Sequence, residues 1–152
     1  MKKSRIKSLL SFVIILFTGN LFAQEHSESD VLGIWFNEEK DAKIEVYKEN
    51  GKFYGKIVWL EEPIDPETGK PKLDDENPDE EMQMRPVMGL LLVWNFVYDD
   101  DGVWEDGKIY DPKSGNTYSC YMKLQSMNEL KVRGFIGISI IGRTTYWTRT
   151  TL

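Results

Sequence analysis

A single histidine and a single cysteine occur among the 152 residues, and each scarcity removes a class of chemistry. His26 falls in a polar stretch near the N-terminus. Ser–His and Cys–His nucleophile pairs therefore have no base to draw on, and no histidine-based zinc or iron site can be assembled. With Cys120 alone, no internal disulfide can form. Cys120 sits in the strand-like run "TYSCYMKL" and reads as a buried, inert thiol rather than a reactive one. Gly102, Gly107 and Gly115 stand in turn contexts, and none opens a strand–loop–helix phosphate cradle. No cofactor is implied, and no internal repeat is visible. Positive charge is also scarce, 19 basic against 25 acidic residues. That balance argues against nucleic acid, whose binding needs Lys and Arg to neutralise phosphates, and against a generic anionic membrane surface.

Long apolar runs are nearly absent too. The exception is at the N-terminus, where Lys2, Lys3, Arg5 and Lys7 precede a mostly apolar segment from Leu9 to Phe17, and Ala23 offers a small residue before Gln24. Basic, apolar and small-residue regions in that order read as a secretory signal peptide, too short for a stable membrane span. An uncleaved anchor helix is the alternative. A lipoprotein is disfavoured because no cysteine follows. The expectation is that residues 1–23 are removed and the mature chain is periplasmic or extracellular, with no integral span. The segment holds four basic residues and no acidic one, so its loss moves the net charge from −6 to −10. Residues 24–30 read as a flexible tail and 31–152 as one domain.

From residue 31 onward the hydrophobic period is two. Strands are expected near 33–36, 42–49, 52–60, 90–98, 103–110, 117–125, 129–136 and 142–150. Asn50-Gly51 is the best hairpin signal, since both residues tolerate the positive φ of a type I′ turn. "DDDG" (99–102), "DPKSG" (111–115) and "SMN" (126–128) supply further turns. Eight strands joined mostly by short turns suggest an all-β, up-and-down meander, and closing it into a barrel would remove its exposed edges.

One connection breaks the pattern. Residues 61–86 hold ten carboxylates and five prolines, too many for a ladder. Within them "NPDEEMQM" predicts one short helix, with Asn77 as N-cap, Pro78 at N1 and acidic residues in the first turn. Asp75, Asn77 and Asp79 share the spacing that opens a calcium loop, but Glu80 and Pro86 occupy the positions where that loop needs Gly and a bidentate Glu. No metal site is assigned. The same carboxylates suggest a hydrolase only remotely, because nothing singles out two of them.

Gly33-Ile34-Trp35 opens the first strand and Arg149 lies in the last. This G-x-W with a terminal-strand arginine resembles the lipocalin and calycin barrels, in which the guanidinium packs over the indole and closes one barrel end. Stacking of a planar cation on an indole face is physically sound. Beyond that, "GKFYGKIVWL", "NPDEEMQMRPVMGLLLV", "GKIYDPKSGNTYSCYMKL" and "LKVRGFIGISIIGRTTYWTR" are similar to an exported bacterial family known as domain of unknown function 2147. The resemblance implies a lipocalin-like barrel and secretion, and it implies no activity.

Alternation places Ile44, Val46, Phe53, Ile57 and Trp59 on the inner face. Tyr118, Cys120, Met122 and Leu124 share another such face, as do Leu130, Val132 and Ile136. The interior is either filled by its own side chains or hollow enough for one apolar ligand. For the last hairpin, a register setting Val132 opposite Trp147 would turn Trp147, Arg143 and Arg149 inward and leave Arg133 outside. Arg143 would then be an inward cation suited to an anionic head group, or a salt-bridge partner for the acidic 61–86 loop. Arg143, Trp147, Tyr118, Met122, Trp59 and Trp94 are the candidate ligand residues, and Gly33, Trp35 and Arg149 the structural closure. The expected function is the binding of one small amphipathic or anionic apolar ligand, without catalysis. The other class is an envelope interaction module, with a protein partner or second copy on the strand of residues 88–98, which is apolar on both faces. On that strand the bulkier set Leu90, Leu92, Trp94 and Phe96 is expected inside, and Leu91, Val93 and Val97 outside.

Overall fold

The computed structural model describes residues 26–99 and 102–152. The expected signal segment, the expected new N-terminus at Gln24 and the middle of the "DDDG" turn lie outside the described residues. Eight strands follow one another: β1 (Gly33–Phe36), β2 (Ala42–Glu49), β3 (Lys52–Leu60), β4 (Leu91–Tyr98), β5 (Val103–Asp111), β6 (Asn116–Ser126), β7 (Glu129–Phe135) and β8 (Gly142–Thr150). Each pairs antiparallel with the next, and β8 returns to β1, so the meander closes into a barrel. The strand bounds agree with the alternating pattern to within a residue. At the β2–β3 hairpin, Asn50 (φ 49°) and Gly51 (φ 78°) both take the left-handed conformation that such a tight turn requires.

The two ends of the barrel differ. Around the β2–β3 and β4–β5 turns, Trp35, Phe53, Phe96, Trp104, Met122 and Leu130 have no exposed surface and fill the lumen. Gly107 marks how tightly: a Cβ there would lie 2.3 Å from the Phe96 ring, so only glycine lets that ring cross the strand. Toward the other end, where β1 meets β2 and β7 meets β8, the lumen opens.

Four expectations are corrected. First, "NPDEEMQM" is not a helix but a run of tight turns, with Met82, Gln83 and Arg85 amides donating to the carbonyls three residues earlier. Asn77 does make the expected cap-type bond, its Oδ1 accepting from the Asp79 amide at 2.9 Å, but no helix follows it, and its Nδ2 turns back into the protein. Second, residues 26–30 do not trail from the barrel: Glu28–Val31 forms a 3-10 helix held by the Ser27 amide on Asp30 (2.9 Å) and by an ion pair between Lys48 and Glu28 (2.6 Å). Third, irregularities break the simple alternation. Ile57 pairs with Ile44 but Trp59 pairs with Lys43, so Val58 is an extra residue and Trp59 turns outward, edge-on to Phe36 at 5.8 Å. On β4, register shifts on both sides of Val93 leave Leu90, Leu92, Val93 and Phe96 packed in and Leu91, Trp94 and Val97 toward the outside, a mixture of the two expected sets. Fourth, β7 and β8 keep the expected parity but slip by two residues: Leu130 faces Trp147, Val132 faces Thr145 and Gly134 faces Arg143.

Candidate functional site

The packed end is closed by the residues of the G-x-W motif. The Arg149 guanidinium lies 4.1 Å from the centre of the Trp35 ring. It also donates to the carbonyls of Asp30, Met127 and Leu32, the last at 2.8 Å. Trp35 Nε1 donates to the Val31 carbonyl at 2.8 Å. One cation thus ties the entering chain, β1, β8 and the β6–β7 turn together. Gly33 is required here twice over. Its φ of 123° is one that side chains resist, and a Cβ would come within 3.1 Å of Arg149 Nη1.

At the opposite end the lumen opens as a cavity of about 1010 Å³, the upper range for a small-molecule site. Its floor and walls are largely apolar, with Ile44, Ile57, Leu92, Ile109, Val132 and Trp147 from six different strands. Tyr118 and Phe135 add aromatic surface, and Thr145 adds a hydroxyl. Gly134 supplies space, since β7 passes here close to Ile109 and Tyr118. Cys120, just below, is buried, and burial pushes its thiol up to about 12, so it is not a nucleophile at neutral pH.

The mouth is charged and lopsided. Glu39, Asp41, Glu61, Glu62, Asp65, Asp75, Glu76 and Asp111 line it together with Lys72, Lys113 and Arg143. Every one of these cations is already paired: Lys72 with Glu62 (3.1 Å), Lys113 with Asp41 (3.0 Å), and Arg143 with Glu39 (3.1 Å) and Glu38 (3.9 Å). Burial works against ionising Asp41, but hydrogen bonds from Asn37 and Lys113 outweigh it and hold the carboxyl below its ordinary range. Arg143 keeps the inward parity expected of it, yet its side chain is 74% exposed at the rim, drawn off by two glutamates of the β1–β2 turn. The expectation of a cation held over the cup for an anionic head group is corrected accordingly.

One wall of the mouth is the long connection 61–90, and a buried carboxylate fixes it. Asp74, with no exposed surface, accepts from Tyr110 Oη (2.6 Å), Asn77 Nδ2 (2.8 Å) and Arg85 Nε (2.9 Å). Asn77 Nδ2 also reaches Tyr110 Oη at 3.0 Å. Burial first, then the bond to Asp74, pushes the Tyr110 phenol up to about 12. Nothing in the sequence singled out Asp74 from the other nine carboxylates of that loop. Its distinguishing feature is a partner on β5, far along the chain.

Of the six candidate ligand residues, Arg143, Trp147 and Tyr118 converge on the cavity. Met122 belongs to the packed half, Trp59 lies outside after the β3 bulge, and Trp94 borders a separate, shallower outer groove of about 300 Å³ with Leu91, Arg85 and Tyr110. The third arginine of the last hairpin has a local task. Arg133 donates to the carbonyls of Ser139 (2.7 Å) and Ile140 (3.2 Å) and to Thr144 Oγ1 (2.8 Å), clamping the β7–β8 tip beside the mouth. That tip exposes Ile136, Ile138, Ile140 and Ile141.

Comparison with known proteins agrees with this architecture. Residues 33–149 match the family described as "Uncharacterized protein conserved in bacteria (DUF2147)". Among solved structures, the chain is similar to protein HP1028 from the human pathogen Helicobacter pylori, described as belonging to the lipocalin family. The TM-score is 0.67 at 23% identity, over 79% of this chain and 82% of that one. At that identity the likeness speaks for the fold. No curated protein matches the chain.

Proposed function

The chain belongs to the DUF2147 family, and from that premise we propose that it is an exported, lipocalin-type carrier that holds one small amphipathic ligand in its open cavity. The observation that carries this reading is the division of the lumen: one half is filled to contact by its own side chains, and the other is left empty behind an apolar wall. A barrel of this size can be filled throughout, so the hollow is a feature of these residues rather than of the strand count. The reading is of binding rather than catalysis. His26 lies at the packed end against Gly102, Cys120 is buried, and Asp41 at the mouth is shifted opposite to the direction a general acid needs.

Native mass spectrometry of the protein purified from its own cell envelope is the test. A retained, stoichiometric mass of lipid-like size supports the carrier, and its absence from both the native and a ligand-incubated sample rejects it. Export rests on the basic, apolar and small-residue order of residues 1–23, and the intact mass should begin at Gln24.

A second reading is favoured by the isoleucine tip. Four exposed isoleucines at 60–82% on one clamped loop form an apolar projection of the kind that marks a contact surface. If the protein is an interaction module, Ile138→Asp with Ile140→Asp should release a co-purifying protein while leaving cavity binding intact.

A further inference from the structure

We infer that the ligand of this cavity carries a positive charge: an amphiphile with an apolar tail and an ammonium-type head. The inference rests on the carrier reading above and names the ligand class of that same site. The cavity supplies the site, and its rim supplies the sign. After the three rim cations are matched with their carboxylates, Glu61, Asp65, Asp75 and Glu76 still line the cavity without an ion pair among the described residues, and Asp111 shares Lys113 with Asp41. Asp65 and Asp111 accept backbone amides of their own turns, Glu67 and Thr68 for the first and Lys113 for the second. Those bonds, from neutral amides, orient the two carboxylates without supplying a countercharge. A like-charged ring around a low-dielectric cup focuses its field into the opening, enriching cations there and repelling anions. Below the ring the wall turns aromatic, with Tyr118, Phe135 and Trp147. Aromatic faces attract ammonium groups, most strongly when these are desolvated. Carboxylates above and aromatic rings beneath are jointly suited to a cationic head, and neither suits a fatty carboxylate or phosphate.

The test is calorimetry on the mature chain with three amphiphiles of one tail length, each below its micelle concentration: dodecyltrimethylammonium, dodecanoate and the uncharged monolaurin. Dodecyltrimethylammonium should bind at least tenfold more tightly than dodecanoate, and the ratio should shrink several-fold on raising salt from 0.02 to 0.3 M, as screened charges require. Glu61→Gln with Glu76→Gln should weaken the ammonium several-fold and leave monolaurin unchanged. If monolaurin binds but dodecanoate matches or beats the ammonium, or the preference ignores both salt and the substitutions, the charge inference is overturned while the carrier reading stands. If none of the three binds, the carrier reading falls and takes this inference with it.

Discussion

Arg149 makes more contacts across the chain than any single alternation argument would assign it. Its guanidinium covers the Trp35 indole and satisfies three carbonyls from two separate segments. Stacking contributes roughly 0.5–2 kcal/mol and charge-assisted hydrogen bonds about as much each. Arg149→Ala should therefore lower stability by about 2–4 kcal/mol in a denaturant titration. Arg149→Lys should restore only part of this, because an ammonium can neither lie flat on the ring nor reach three acceptors at once. A lysine variant as stable as the parent would show that the stacking contributes nothing. At Gly33 an alanine should cost roughly 1–3 kcal/mol, from its φ of 123° and the crowding of Arg149. This pairing was legible through the resemblance to the lipocalin barrels, whose G-x-W and last-strand arginine stand here as Gly33, Trp35 and Arg149. Arg143 was legible only in its parity. Its partners Glu38 and Glu39 sit on a turn, and where a turn aims its side chains is not encoded in a period of two.

Strands whose residues alternate cleanly were found from sequence almost to the residue, because burial of one face enforces the period. The failures cluster where an extra residue enters. Asn95 and Asp106 have positive φ (66° and 59°), and at each a three-residue step on one strand faces a two-residue step on its neighbour: Val93 to Phe96 against Gly55 to Phe53, and Trp104 to Gly107 against Met122 to Cys120. Asn and Asp tolerate that conformation better than most residues, so both were possible bulge signals, but both residues are equally common in ordinary turns. The 61–86 connection was read correctly as not strand, and its 77–84 segment wrongly as a short helix. The Asn77 cap bond to the Asp79 amide forms, but the turns after it do not grow into a helix, since Asn77 and Arg85 at the two ends of the segment are both tied to Asp74, which Tyr110 also holds. The strength of that anchor can be measured through pH. The Tyr110 phenol titrates near 12 in the folded protein and near 10 when unfolded. Below pH 10 both states keep the proton. Between 10 and 12 the unfolded state loses it first, so the stability from this group falls, by up to about 1.4 kcal/mol per pH unit. Tyr110→Phe should cost roughly 1–3 kcal/mol at neutral pH by leaving Asp74 short of a donor. Its deficit relative to the parent should narrow as pH rises from 10 to 12. A deficit that stays constant would mean that the phenol proton is not held by the fold.

At the scale of the whole molecule, the barrel is divided along its axis into a packed and a hollow half, and the proposed carrier role assigns stability to the first and binding to the second. The packed half carries the large buried residues, the arginine closure and the ordered N-terminal turn. The hollow half carries the aromatic wall, the acidic rim, the anchored loop and the isoleucine tip. Sequence patterning could not show this division, because inward positions are apolar in both halves. Only the accumulated size of side chains at one level of the barrel decides whether the lumen fills, and that depends on register between strands distant in sequence. The separation makes a paired prediction. Leu130 is fully buried opposite Trp147 in the packed half, so Leu130→Ala should cost about 2–5 kcal/mol by leaving a cavity, with little change in ligand affinity at temperatures where the variant stays folded. Thr145 lines the open cavity opposite Val132, so Thr145→Trp should enter empty space, change stability by no more than about 1 kcal/mol, and abolish ligand binding. Denaturant titration and displacement of a cavity-bound fluorophore read the two effects separately. A Thr145→Trp protein that binds as before would place the ligand elsewhere on the molecule, and one that unfolds would mean that the lumen at that level has no room to spare.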